Sequence, residues 1–293
     1  MTAEIDPLQN AYCWSDLLAR HFAQTYRSGH IFNFLLGAVA VLIALSGLLF
    51  PAGKLGLAIA ELAVIGSVIV NTRVGVNHGW HRRWLDYRNL AERLRPMRSL
   101  RLVGIAAPQR DAAARNVRWI DWYAARMWRA LGLPEGRITD PAMLAAALVA
   151  HELVPQIAYH RAAAASAERL DHRLHLIGTA LFSATIVSCI ALIAGHLAAP
   201  GWIGRHAMIF VVLSAGLPAF GTAIFGIRMQ GDFAGTSLRS HATAERLAAI
   251  ASQVDPAVDL ARAADLFERG AEAMLADLGE WRLAHLQREL VIP

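Results

Sequence analysis

Polarity changes along this chain in long blocks rather than residue by residue. Four apolar stretches, at 31–50, 55–70, 174–198 and 208–227, are separated by segments rich in charge. Crossing about 30 Å of hydrocarbon takes roughly 20 helical residues at about 1.5 Å each. Residues 31–50 contain no charge and a single asparagine near their start, and they form the clearest span. Residues 174–198 and 208–227 are of similar length, with His175 and His196 near the ends of the first and Pro218 inside the second. The stretch 55–70 is interrupted by Glu61. It reaches span length only by continuing through Asn71 and Thr72 toward Val76.

The connections group these spans into two antiparallel hairpins, because Pro51-Ala-Gly-Lys54 and residues 199–206 are short and rich in turn formers. The remaining segments read as amphipathic helix. Over 76–95, Trp80, Trp84 and Tyr87 line one face. Over 111–133 the face is Ile120, Tyr123, Met127 and Ala130, widened by Trp119, Trp122 and Trp128. The alanine-rich 141–173 allows an unbroken helix from Ile157 into the third span, and 258–290 puts Leu260, Ala264, Phe267 and Ala271 on one side. Loops are expected at 96–108 and 132–141. No alternation of period two persists, so no sheet is expected. The predicted fold class is all-α: an N-terminal helix in 1–30, a hairpin in 31–73, a helical layer in 74–173, a second hairpin in 174–228 and helices in 229–293.

The two halves share this order. Tyr26-Arg-Ser-Gly-His30 precedes the first hairpin and Arg169-Leu-Asp-His-Arg-Leu-His175 the second, and Ala-Glu-Arg-Leu follows both, at 91–94 and at 244–247. Both hairpins would insert from the same side, unlike the inverted repeats of many transporters.

Composition agrees with a membrane protein. The chain of 293 residues is 56% hydrophobic and only 17% charged, where a soluble domain carries about 25% charged residues. The two cysteines, Cys13 and Cys189, lie in regions that would not meet, which excludes a disulfide framework. Charge adds orientation. Residues 73–173 hold 17 of the 28 basic residues and 228–293 hold 7, while the hairpin loops hold only Lys54 and Arg205. By the positive-inside rule both termini and the middle segment are cytoplasmic. Juxtamembrane arginines such as Arg82 and Arg83 are thereby explained by topology and lipid, and no nucleic-acid partner is expected.

With these elements in place, Tyr87-Arg-Asn-Leu-Ala-Glu-Arg-Leu-Arg95 after a two-span hairpin resembles the SMODS- and SLOG-associating two-transmembrane effector (SLATT) family. The positions that carry the likeness are Tyr87, Arg88, Ala91 and Glu92, then Trp119, Trp122 and Tyr123, Gln156, Tyr159 and His160, and His172 and His175. Leu217-Pro-Ala-Phe-Gly221 and Gln230-Gly-Asp-Phe233 add to it. Together they look like the four-span bacterial members. The resemblance implies an oligomeric effector of bacterial defence that forms pores or perturbs the membrane once a partner senses a signal. The chain starts almost directly with the membrane module, so the sensor is expected to be a separate protein.

Candidate chemistry is sparse. Glu61 is the sharpest residue, since an intramembrane carboxylate is costly and should face protein, water or a partner, as in an ion pathway. His160, His172 and His175, with His151-Glu152, are spread over several helical turns without a His-Glu-x-x-His motif, and no metal site or cofactor is expected. Small residues at four-residue spacing, Ala180, Ala184 and Ser188, and Ala215, Ala219 and Ala223, would let helices approach closely, within or between protomers. No phosphate loop, nucleophile elbow or paired acids point to an enzyme. A pore-forming effector is therefore the leading expectation. A membrane scaffold that docks a cytoplasmic partner and a small transporter working through Glu61 are the alternatives.

Overall fold

The computed structural model describes residues 6–105, 118–132, 138, 140–255 and 258–285. Among the described residues it is helical throughout, without strands, and four of its helices are long and apolar enough to cross a membrane. The elements are α1 (Pro7–Leu49), α2 (Lys54–Asn77), α3 (Trp80–Leu94), α4 (Met97–Leu102), α5 (Arg118–Leu131), α6 (Pro141–Leu148), α7 (Val154–Ala198), α8 (Pro200–Gly231), α9 (Phe233–Ala251) and α10 (Leu260–His285). They divide into two compact units. A polar unit draws on 1–24, 80–167 and 235–288, and an apolar unit on 25–79 and 168–234.

Helix boundaries follow from a few residues. A short 3-10 turn, Pro51–Gly53, joins α1 to α2. The α2 helix ends where Gly79 adopts φ +59°, with the His78 N–H bonded to the Val74 carbonyl, a left-handed stop that suits glycine. The helix expected over 76–95 is thus two helices. Asp140 caps α6 by accepting from the Met143 N–H at 2.9 Å, and Pro141 opens it. Between α6 and α7, Val149–Leu153 forms a π turn in which the Val154 N–H reaches back to the Val149 carbonyl. Pro155 explains it: proline has no N–H for the His151 carbonyl and crowds it, and a widened turn relieves both problems.

Three other expectations change. The segment 96–108 contains α4, which Pro96 starts rather than prevents. Residues 199–206 form no loop, because Ala199 caps α8 and Pro200 begins it. The polar-to-apolar boundary at 30/31 falls inside α1 without a break, as polarity changes there while helix propensity does not. Helix α7 likewise runs unbroken through the start of the third apolar stretch, and α2 continues past Asn71 and Thr72 to Asn77. The expectations for 106–108, 111–117, 133–137, 139 and 286–290 concern residues outside those described.

The polar unit has two apolar clusters. Leu8, Ala11, Leu90, Leu94, Met97, Ile120 and Ala124 join α1, α3, α4 and α5, while Leu153, Ile157, Leu247, Leu266 and Phe267 belong to a second cluster around α6, α7, α9 and α10. The shared Ala-Glu-Arg-Leu occupies comparable sites: Ala91, Leu94, Ala244 and Leu247 are all fully buried. On α10 the buried stripe is Ala263, Leu266, Phe267, Ala271 and Met274, with Leu260 exposed.

The apolar unit buries far less. In the most apolar windows of its helices only 6 to 22% of residues are buried. Helix α8 packs against both α1 and α7, and glycines make the contacts. Gly216 lies against Leu42 and Leu45, Gly226 against the ring of Phe34, and Gly221 against Phe182.

Candidate functional site

Two clusters of polar side chains stand out, one in each unit. In the polar unit, α3 presents Arg88, Glu92 and Arg95 at spacings of four and three, so all three share a face. Glu92, 7% exposed, is held between the two arginines at 2.5 Å from Arg88 Nη2 and 2.5 Å from Arg95 Nη1. Arg88 also meets Asp16 of α1 at 3.9 Å and lies beside Tyr159 of α7, whose hydroxyl favours the cation. Arg95 donates to Gln156 Oε1 at 3.2 Å and to the Tyr12 hydroxyl at 3.1 Å, with its guanidinium over the Tyr12 ring. Asp16 bonds Arg20 at 2.6 Å.

This network fixes three helices to one another through charge-assisted bonds. Burial works against the Arg88 cation, but Glu92, Tyr159 and Asp16 outweigh it and hold the guanidinium above the ordinary arginine range. Arg95 is raised in the same way, by Glu92 and Tyr12 against burial. The structure therefore gathers Arg88, Glu92, Gln156 and Tyr159, all named from the family likeness, into one network. It adds Arg95, the last residue of the same motif, and Tyr12 and Asp16, which no local spacing marked because they come from α1.

Tyr87, Trp119 and Tyr123 join an aromatic cluster instead. Tyr87 meets Trp14 at 5.5 Å, Phe22 at 5.8 Å and Trp119 at 5.9 Å between ring centres, and Trp14 stacks on Tyr123. On α5 the inward residues are Ile120 and Ala124, with Met127 and Leu131 beside them. The wider apolar face expected there is corrected: Ala130 and Trp122 point outward, and Trp122 is 63% exposed.

In the apolar unit, Asn33 of α1 is fully buried. It donates to the Thr72 hydroxyl at 2.8 Å and accepts from Asn71 Nδ2 at 2.8 Å, and Asn71 also donates to the Gly29 carbonyl at 3.1 Å. Nearby on the same helix, Tyr26 and His30 each bond Gln230 of α8 at 3.2 Å. Neutral amides clamp α1 to α2 and to α8 in this way. Sequence reasoning singled out neither Asn33 nor Asn71 as a site. The available signal was an asparagine inside one apolar stretch and another just beyond the next.

Glu61 lies on the packed side of α2. Leu57, Glu61, Val64, Val68, Thr72 and Gly75 are the less exposed positions, at spacings of three and four, and they form one stripe facing the bundle. Glu61 is seven residues from the start of α2, about 10 Å along the axis. Among the described residues it has no hydrogen-bond or ion-pair partner.

The small-residue stripes fit less well. Ser188 is buried and bonds the Phe210 carbonyl, but Ala180 and Ala184 are exposed. Ala223 is buried, Ala219 half-buried and Ala215 exposed. The close approaches within the unit are made by Gly216, Gly221 and Gly226, because only the absence of a Cβ lets Phe34 and Phe182 come so near.

The histidines do not converge. His160 is buried in the polar unit beside Tyr159, whereas His172 and His175 are exposed in the apolar unit. There Arg228 donates to Asp171 at 2.7 and 2.8 Å and approaches His175 Nδ1 at 3.5 Å. Among the described residues no group of three His, Cys, Asp or Glu side chains is placed to hold a metal ion.

No protein-family model, no curated protein and no solved structure matches this chain.

Proposed function

We propose that the protein is a multi-pass protein of a bacterial inner membrane, with both hairpins inserted from the cytoplasmic side. It acts there as an oligomeric effector that forms a pore or perturbs the bilayer, in a defence or conflict system, under the control of a separate sensor. The observation that carries this reading is the placement of Glu61. A carboxylate about 10 Å into an apolar helix, on its bundle-facing stripe and without a partner among the described residues, is costly in hydrocarbon unless water or another chain reaches it. The low burial of the four apolar helices supports the same reading, since it leaves wide faces for lipid and for further copies. Exposed Ala180, Ala184 and Ala215 are suited to such contacts. The likeness of the α3 motif to SLATT effectors supplies the kind of activity.

The test is ion leak from liposomes holding the purified full chain at rising protein density, with cross-linking in parallel. The expected result is oligomers, a leak that rises more steeply than density, and a changed rate for Glu61→Gln. Oligomers that conduct nothing at any density, or a leak identical in Glu61→Gln, would count against the role of Glu61.

A further inference from the structure

The outward face of α5 is exposed, aromatic and basic. Trp119, Trp122, Arg126, Arg129 and Ala130 are exposed and lie on one stripe at spacings of three, four, three and one. Trp119 and Trp122 are 39% and 63% exposed. Arg126 and Arg129 have no ion-pair partner among the described residues, and the described acid of this helix, Asp121, is turned away and bonded to Arg93. The helix puts no carboxylate of its own on this face; Trp119 at its edge meets Tyr87 and donates its indole N–H to Asp86 Oδ2 of α3 at 3.4 Å, which leaves Trp122, Arg126 and Arg129 without a partner among the described residues, and the opposite side packs through Ile120 and Ala124 onto Leu90 and Leu94.

We infer that this face of α5 rests on an anionic phospholipid surface, with the Trp122 indole among the headgroups and the two arginines on lipid phosphates. The inference builds on the membrane reading above. Indole is apolar over most of its surface and polar at one N–H, which suits the boundary between hydrocarbon and water. Unpaired arginines beside it are attracted to anionic lipid, and a helix with one such face lies in the interface plane. At 14 residues, about 21 Å, α5 is too short to cross a bilayer. Charge complementarity therefore selects lipid over a hydrophobic protein groove, which would leave both guanidinium groups buried without partners.

The test uses the full chain with Cys13→Ser, Cys189→Ser and Ala130→Cys, labelled at position 130 with an environment-sensitive fluorophore. It is reconstituted in neutral phosphatidylcholine vesicles or in vesicles containing phosphatidylglycerol, each with brominated lipid as quencher. The expected result is a blue shift and quenching in the anionic vesicles. Both should be lost in high salt and in Arg126→Gln/Arg129→Gln, two exposed substitutions that leave the packed side intact. Protein that resists alkaline extraction yet shows no quenching in either lipid overturns the inference and leaves the membrane reading standing. Protein released by alkali overturns both. Shielding of the label that appears only on adding cell extract shows that a protein covers this face, which also overturns it.

Discussion

In the polar unit Glu92 is ionically bonded to two arginines, while in the apolar unit the fully buried Asn33 bonds the neutral side chains of Thr72 and Asn71. Both sites tie helices together through side chains, yet one uses full charges and the other amides. The difference fits the surroundings proposed for each, water for the polar unit and hydrocarbon for the apolar one. Next to water, ions give strong directional bonds, and the desolvation they suffer is offset by their partners. In hydrocarbon an ion is far costlier than an amide, so amides are the economical way to specify helix register. Packing differs in the same sense. The polar unit interlocks leucines and isoleucines in two clusters, whereas the apolar unit relies on glycine against aromatic rings.

Substitutions can break this contrast, beginning with the strongest. Glu92→Leu removes the shared carboxylate and leaves Arg88 and Arg95 buried with fewer acceptors, so the polar unit should lose about 3–5 kcal/mol. Thermal unfolding followed by circular dichroism reads this, and Glu92→Gln should lose less. A Tm unchanged in both variants would show that the network is not a stabilising element. In the apolar unit, a Cβ on Gly226 would run into the ring of Phe34. Gly226→Val should cost about 1–3 kcal/mol by overpacking, measured as thermal stability in detergent. Phe34→Ala in the same chain should restore part of it, and no rescue would mean that the two helices do not meet there.

Asn33→Ala should cost less, roughly 0.6–1.7 kcal/mol, the range for hydrogen bonds between helices in a membrane. A double-mutant cycle with Thr72→Val checks it, since strict additivity would show that the bond contributes nothing. The smallest effect concerns pH. Glu152 lies in the π turn, 3.6 Å from Arg98, and burial pushes its carboxyl up against the opposing pull of Arg98, Arg95 and His151. The unfolded chain gives up this proton at lower pH than the folded protein does. The site's contribution is therefore complete below the ordinary carboxylate range and falls as pH rises through the raised value. Glu152→Gln removes that slope, so the variant should gain on the parent from acid toward neutral pH. Parallel stability curves would contradict the assigned direction.

Much of the fold was legible because charge is absent from four long stretches, and a helix is the only way for such a stretch to satisfy its backbone in a membrane. Where one helix ends and another begins was less so. Gly79 interrupts what reads as one periodic face, and Pro96 looks like a loop residue although it starts α4. The polar lead-in of α1 fuses with its apolar stretch because nothing at the change of polarity stops a helix, as the alanine-rich sequence before the third span already suggested for α7. Glu61 stood out as a charge in an apolar run, but which way it faces depends on the stripe through Val64, Val68 and Thr72. Partners such as Tyr12 and Asp16 were illegible for a different reason. They reach Arg95 and Arg88 from a helix more than 70 residues away, and no local periodicity encodes that meeting.

The account stands on two hairpins that enter the bilayer from one side, and single-cysteine labelling tests this most directly. In a chain with the native cysteines replaced, Lys54→Cys, Arg205→Cys and Ala130→Cys are each treated with a membrane-impermeant maleimide on spheroplasts. The predicted result is labelling at 54 and 205 in intact spheroplasts and at 130 only after permeabilisation. Labelling of 54 and 205 from opposite sides, or of all three from the outside, would contradict it.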